Sequence, residues 1–244
     1  MALNFSLDSL LEQSLLTEDP WWVYILNGAW WTIGLTIAAF ALALLIGIIV
    51  GTLRTAPNKF VRGLCEAWIE LFRNIPLIVQ IFIWYFVIPE LVPWYKDWLI
   101  EVDPAVGQFV TAFICMGLFT SSRIAEQVRA GISSLPRGLP NAAKALGFTT
   151  VQAYVQVVLP MAMRLIVPPL TSESMNLVKN TAVAMTIGLP ELTMRANEMG
   201  ENTFTFFAAY LWATILYIII ALVVNQLMAW VEKKSVIPGF IAAK

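Results

Sequence analysis

Histidine is absent from the 244-residue chain, and cysteine occurs only twice. The first absence excludes catalytic constellations that turn on an imidazole, and no run of the GxxxxGK[ST] type is present to cradle a nucleotide phosphate. Cys65 and Cys115 lie far apart, in or beside apolar segments and without metal-ligand neighbours, so neither a disulfide framework nor a zinc site is expected. Charge is scarce as well. Charged residues make up 13% of the chain against 59% hydrophobic, and a formal net charge of −1 offers nothing to nucleic acid. The N-terminal stretch holds Asp8, Glu12, Glu18 and Asp19 before any Lys or Arg. It lacks the basic start of a secretory signal, and the first apolar segment is expected to remain as an anchor.

What the chain has in quantity is apolar runs near the length that crosses a hydrocarbon core, about 20 residues. They predict an all-α membrane protein with five spans near 22–53, 68–88, 105–124, 163–189 and 204–230. The segments between them alternate in charge. Arg54, Lys59, Arg62 and Arg73 gather after the first span, and Arg123, Arg129, Arg137, Lys144 and Arg164 around the end of the third, with Glu126 the only acid among them. Glu90, Asp97, Glu101 and Asp103 follow the second span, and Glu191, Glu198 and Glu201 the fourth. Basic segments stay cytoplasmic, so the N-terminal segment 1–21 is expected outside and the tail 233–244 inside, flanking a membrane domain 22–232. Trp21, Trp22, Trp30, Trp31, Trp94, Trp98 and Trp230 near span ends suit that topology, since an indole buries its ring and keeps its N–H among headgroups. In the first span Ala43, Gly47 and Gly51 recur every four residues, a small-residue face onto which another helix can pack, from this chain or from another subunit.

The cytoplasmic segment 137–162 is organised as two short helices. Pro140 suits a first turn, "NAAKAL" continues it, and Gly147 stops it in a left-handed conformation. Thr149 and Gln152 then stand in capping-box spacing, and Val151, Tyr154, Val155, Val158 and Leu159 recur on one apolar face that Pro160 is expected to close. Ala142, Ala143 and Leu146 give the first helix a bare face, while the second would hold it against the bundle. Protein docking, a helix lying on the bilayer and a plain loop all satisfy this pattern.

Polar residues inside spans mark a path, because facing lipid would cost each of them free energy. Glu173, Asn176 and Asn180 share one face of the fourth span with Lys179 near its edge, and Gln80 follows Pro76 in the second. Pro76 removes a backbone donor and bends that span, and carbonyls near Phe72 are then available to line a cavity. Arg73 suits an anionic substrate or cytoplasmic headgroups, and Arg123, Glu126 and Arg129, three apart, suit an ion-pair ladder. No catalytic or metal-ligating residue emerges.

"NAAKALG", nine residues, then "VVLP" resembles the cytoplasmic signature of ABC-importer permeases: Glu-Ala-Ala, three residues, Gly, nine residues, Ile, one residue, Leu-Pro. The match falls on Ala142, Ala143, Gly147, Val157, Leu159 and Pro160, with Asn141 standing where the acid is usual. "ELFRNIPLIVQIF", "RIAEQVRAGISSLPRG" and "PPLTSESMNLVKNTAVAMTIGLPEL" are similar to polar-amino-acid permeases, above all those for glutamate and aspartate. The resemblance implies a transport subunit in a bacterial inner membrane that binds no cofactor itself and works by alternating access. ATP and Mg are expected on a dimer of separate ATP-binding subunits, docked at Asn141, Ala142, Ala143, Gly147, Leu159 and Pro160. A second permease, homologous or identical, and an extracytoplasmic binding protein complete the assembly. Gln80, Glu173, Asn176, Lys179 and Asn180 are the candidate substrate path. The rival expectation is an ion-coupled secondary transporter, which would show an inverted repeat with matched broken helices.

Overall fold

The computed structural model describes residues 8–235 apart from 15, 18 and 137. The ends of the expected outer segment and inner tail, 1–7 and 236–244, together with Glu18 and Arg137, lie outside the described residues. Those residues form helices and no strand: α1 Asp8–Leu11, α2 Trp21–Leu53, α3 Lys59–Asn74, α4 Leu77–Phe82, α5 Ile88–Leu91, α6 Pro93–Glu101, α7 Pro104–Ser133, α8 Leu139–Ala145, α9 Thr150–Ala153, α10 Leu159–Asn180, α11 Leu192–Thr203 and α12 Phe206–Ser235. Four stretches are long and apolar enough to cross a membrane: Trp21–Leu53, Pro104–Ser134, Thr150–Ile187 and Phe206–Ser235.

The expected second span is two helices. Asn58 starts α3 by accepting the N–H groups of Phe60 at 2.9 Å and Val61 at 3.4 Å on its side-chain oxygen. Cys65, Ile69 and Phe72, at i, i+4 and i+7, form its buried face. Ile75 precedes a proline and is therefore pushed out of the helical region, to φ −98° and ψ 128°, so α3 stops at Asn74 and α4 begins after Pro76. The pair Lys59–Asn74 and Leu77–Leu91 is broken there, and counts as a fifth span only if both halves are taken together.

The fourth span also differs from expectation. Pro160 does not close a helix; helical backbone runs on from Thr150 to Ile187. The preceding turn, Tyr154–Val158, is a π turn in which the Leu159 N–H reaches the Tyr154 carbonyl. That wider turn eases the clash a proline ring makes with the carbonyl one turn back. The same device precedes Pro89, where Ile83–Val87 is a π turn and the Ile88 N–H reaches Ile83.

Contacts divide the chain into two compact units, one of 1–40, 76–117 and 176–223, the other of 41–75, 118–175 and 224–244. In the first, Leu35 and Ala39 of α2 pack with Cys115 and Met116 of α7 and with Ala184 and Ile187 of the 3-10 turn after α10. In the second, the small-residue row finds its partner within the chain. A Cβ at Gly47 would stand 2.7 Å from the Ile124 side chain, and one at Gly51 2.5 Å from the Ala125 carbonyl oxygen, so α2 and α7 approach as closely as their backbones allow. Gly131, on another side of α7, meets Ile166 of α10 in the same way.

This contact predicts opposite outcomes for one substitution at two glycines. Gly51→Ala is expected to lower stability by about 1–3 kcal/mol through overpacking. Gly63→Ala, in α3 with no atom within 4 Å of the added Cβ, is expected to be neutral or stabilising by up to about 1 kcal/mol. Thermal unfolding of the detergent-purified protein measures both.

Candidate functional site

The second unit carries a charged cleft of about 390 Å³ lined by Arg73, Arg123, Glu126, Gln127 and Glu173. Three helices supply it. Arg73 comes from the last turn of α3, where a cation complements the carbonyl end of the helix. Arg123, Glu126 and Gln127 come from α7, and Glu173 from α10. The Glu173 side chain is 12% exposed, accepts a hydrogen bond from Gln127 Nε2 at 3.2 Å and lies 3.9 Å from the Arg123 guanidinium. Arg123 also lies over the Phe119 ring, 5.3 Å from its centroid.

Glu126 is held elsewhere. Arg129 Nε and Nη2 donate to it at 3.0 and 2.5 Å, Arg54 at the end of α2 pairs with its other oxygen, and Arg54 also binds Glu66 at 2.9 Å. The expected ladder of Arg123, Glu126 and Arg129 is therefore only half formed. Arg123 turns instead to Glu173, and with Arg73 it lines the cleft together with the Glu126 and Glu173 carboxyl groups. Arg73, for which both an anionic substrate and headgroups were expected partners, lines this cleft.

Of the five residues expected on the path, Glu173 lines this cleft. Gln80 is buried on α4; Asn176 and Asn180 are half-buried and Lys179 is exposed on α10. No side-chain hydrogen bond joins Glu173, Asn176, Lys179 and Asn180 among the described residues, although their spacing puts them on one side of one helix. Arg123 and Gln127 were missed as partners of Glu173 because they belong to a different helix, and spacing along α10 carries no trace of them.

The helix pair forms with its expected punctuation. Pro140 stands in the first turn of α8, and Gly147 is left-handed at φ 91°. The Gly147 N–H reaches Lys144 at 2.9 Å and the Phe148 N–H reaches Ala143 at 3.2 Å, a complete Schellman motif. Thr149 and Gln152 cap α9 reciprocally, at 3.2 and 2.9 Å. The faces differ from expectation. Ala143 is buried, whereas Asn141, Ala142 and Gly147 are exposed, Leu159 is half-buried and Pro160 exposed. Tyr154 and Val158 pack with Leu135, Leu139 and Ala162, but Val151 and Val155 are 71% and 58% exposed. The π turn rotates the stripe, so one apolar face counted at α-helical spacing becomes two. With Leu146 at 80%, the hairpin presents three exposed aliphatic side chains.

A polar cluster in the first unit had no signal beyond a run of acids. Glu191, expected in an outer charged segment, is fully buried as the cap of α11: it accepts the Met194 N–H at 2.9 Å and the Tyr217 hydroxyl at 2.6 Å. Tyr24 donates to Glu198 at 2.6 Å, Arg195 donates to Glu198 at 3.1 Å and to Tyr24, and its guanidinium lies 4.1 Å from the Tyr24 ring centroid. Gly28 permits this approach of α11 to α2, since a Cβ there would be 2.7 Å from Arg195 Cγ. Burial pushes the Glu191 carboxyl above the ordinary carboxylate range, against the pull of its hydrogen bonds.

Residues 43–236 match the family described as "binding-protein-dependent transport system inner membrane component". The chain is similar to the glutamate/aspartate import permease protein GltJ of Escherichia coli O6:H1 (strain CFT073), 43% identical over 249 residues and 100% of each chain. It is also similar to the glutamate/aspartate import permease protein GltK of that strain, 28% identical and covering 87% of this chain and 93% of GltK. Its fold is similar to a crystal structure of an amino acid ABC transporter with histidines, at TM-score 0.73 and 24% identity, covering 88% of this chain and 95% of that one.

Glu191 yields a pH test. Its carboxyl is raised on folding, so its contribution to stability is full below the unfolded value of about 4.3 and is lost as pH rises through the folded value. Glu191→Gln keeps an acceptor for Met194 and is expected to flatten that pH dependence. Glu191→Ala leaves the Met194 N–H unpaired and the Tyr217 hydroxyl without its carboxylate acceptor, though still beside Thr193, and is expected to cost about 1–3 kcal/mol at all pH values. Unfolding midpoints measured from pH 4 upward distinguish the three proteins.

Proposed function

The chain belongs to the family of binding-protein-dependent transport system inner membrane components and is a permease subunit of an ABC amino-acid importer; we propose that its cargo is an acidic amino acid, glutamate or aspartate, passing through the cleft of the second unit. The cleft's charge carries the proposal. Glutamate and aspartate each bear two carboxylates and one ammonium, and the cleft offers two guanidinium groups together with Glu173, a carboxyl group held more loosely than Glu126. Arg73 and Arg123 receive the carboxylates, in the bidentate manner open to a guanidinium, and Glu173 receives the ammonium. A volume of about 390 Å³ lies in the range of small-molecule sites, about 300–1,000 Å³. A basic amino acid would meet two like charges there.

Five spans cross a bacterial inner membrane, the stretch α4 to α5 serving as the second, with the N-terminus outside and the hairpin α8–α9 in the cytoplasm. Asn141, Ala142 and Gly147 on that hairpin, with the exposed Leu146, Val151 and Val155, meet an ATP-binding subunit. Ala143 supports the hairpin from within, and Leu159 and Pro160 join it to α10. ATP and Mg act on that separate subunit. Nucleotide-driven closure moves the hairpin, α10 carries the movement to Glu173, and the cleft changes its access. The binding protein delivers cargo from outside. The second permease is a homologous chain, a reading supported by similarity to two differently named permeases, GltJ and GltK, of one bacterial strain.

The docking arm is tested by Gly147→Val. A β-branched side chain at φ 91° opposes the left-handed turn by about 1–2 kcal/mol. The variant is expected to insert in the membrane yet lose the co-purifying ATPase and its uptake; normal co-purification with full uptake overturns the assignment. Cargo is tested by uptake competition in the assembled transporter. Glutamate and aspartate are expected to compete, and glutamine and arginine not. Glu173→Gln keeps the contact to Gln127 but is expected to slow uptake about tenfold or more, at least ~1.4 kcal/mol, with assembly intact. Unchanged kinetics would remove Glu173 from the path.

A further inference from the structure

Helix α3 has more apolar surface than the protein covers. Its inner face, Cys65, Ile69 and Phe72, is buried. On another face Phe60, Leu64, Ala67 and Leu71 recur at i, i+4, i+7 and i+11, and all four are exposed, the three large ones at 74%, 58% and 55%. Five charged residues, Lys59, Arg62, Glu66, Glu70 and Arg73, lie along the remaining arc of this 16-residue helix. They forbid a crossing of hydrocarbon by a helix about 24 Å long. The helix nonetheless stands directly after a 33-residue apolar span, α2, which fixes it at a membrane boundary.

The charges are not equivalent. Glu66 is taken by Arg54, whereas Lys59, exposed in the first turn at the edge of the stripe next to Phe60, makes no ion pair among the described residues; Arg62 and Glu70, also exposed and outside any ion pair among those residues, lie away from the stripe. An apolar stripe edged by an uncommitted cation at the end of a span is an arrangement that suits an anionic bilayer surface.

We propose that α3 is an interfacial helix that lies in the headgroup layer, with Phe60, Leu64 and Leu71 among acyl chains and Lys59 on the phosphates of anionic lipids. The occupant of the stripe is lipid, and the helix anchors this end of α2 and Arg73 of the cleft at a fixed depth. Phosphatidylglycerol is the probe.

The test uses the full chain with its co-purifying subunits in nanodiscs, Cys65 and Cys115 replaced by Ala, and a nitroxide label at Leu64→Cys or Glu70→Cys. The label at 64 is expected to collide more with lipid-soluble oxygen than with an aqueous nickel chelate, and the label at 70 the reverse. Adding phosphatidylglycerol to phosphatidylcholine is expected to draw the label at 64 deeper. Lys59→Gln is expected to reduce the preference for phosphatidylglycerol by roughly fivefold. Shielding of position 64 from both agents, which means that another subunit covers the stripe, overturns the proposal. So does a label at 64 that meets only the nickel chelate, or a depth indifferent to phosphatidylglycerol.

Discussion

Helices α2 and α7 touch through Gly47 and Gly51, and the Ala125 carbonyl stands where any side chain would have to go. Within the second unit the site depends on this approach, because it fixes which side of α7 faces what. With Ser121, Ile124, Ala125 and Val128 turned to α2, the helix presents Glu126 and Arg129 beside Arg54, and Arg123 and Gln127 toward Glu173. Gly131 then sets α10 against the same helix, through Ile166. Two glycine contacts thus hold α7 from two directions. The cleft is the space left between helices that cannot rotate without a backbone collision.

Partition of the arginines follows from that geometry. Arg54 and Arg129 saturate Glu126, so Glu126 has little attraction left to spend on Arg123. Arg123 is only loosely paired, at 3.9 Å from Glu173 and nearly half exposed. A charge held in this way costs less to hand over to a ligand than one locked in a bidentate pair. The saturated cluster keeps the frame while the loose pair is available for exchange.

Legibility in the sequence tracked the range of the interaction. The α8–α9 turn was fully readable, because the Gly147 stop and the Thr149–Gln152 cap are settled within six residues. The row Ala43, Gly47, Gly51 announced a contact face but not its partner, which lies on a helix dozens of residues away. Five apolar runs were visible, and Pro76 announced a bend in the second; that Ile75 turns extended and parts α3 from α4 follows from the restriction a proline places on the residue before it. Glu191 was invisible as a buried group, since its cap and its Tyr217 partner exist only once α11 and α12 pack in the first unit. Glu173 stood out by its chemistry, while Arg123 and Gln127, its true neighbours, blended into a basic helix end. Pro160 misled for a physical reason: a proline stops a regular α-helix, and the backbone around it is not regular.

The π turn at Tyr154–Val158 has a consequence of a different kind. It is a single residue of surplus chain in an otherwise continuous rod from Thr150 to Ile187. Removing one residue there would leave every other side chain in place in the sequence and turn the hairpin by about 100° around the axis of α10. The direction in which the hairpin points is therefore written in arithmetic, in how many residues the turn contains, and two chains with identical hairpin letters but unequal counts would present different faces.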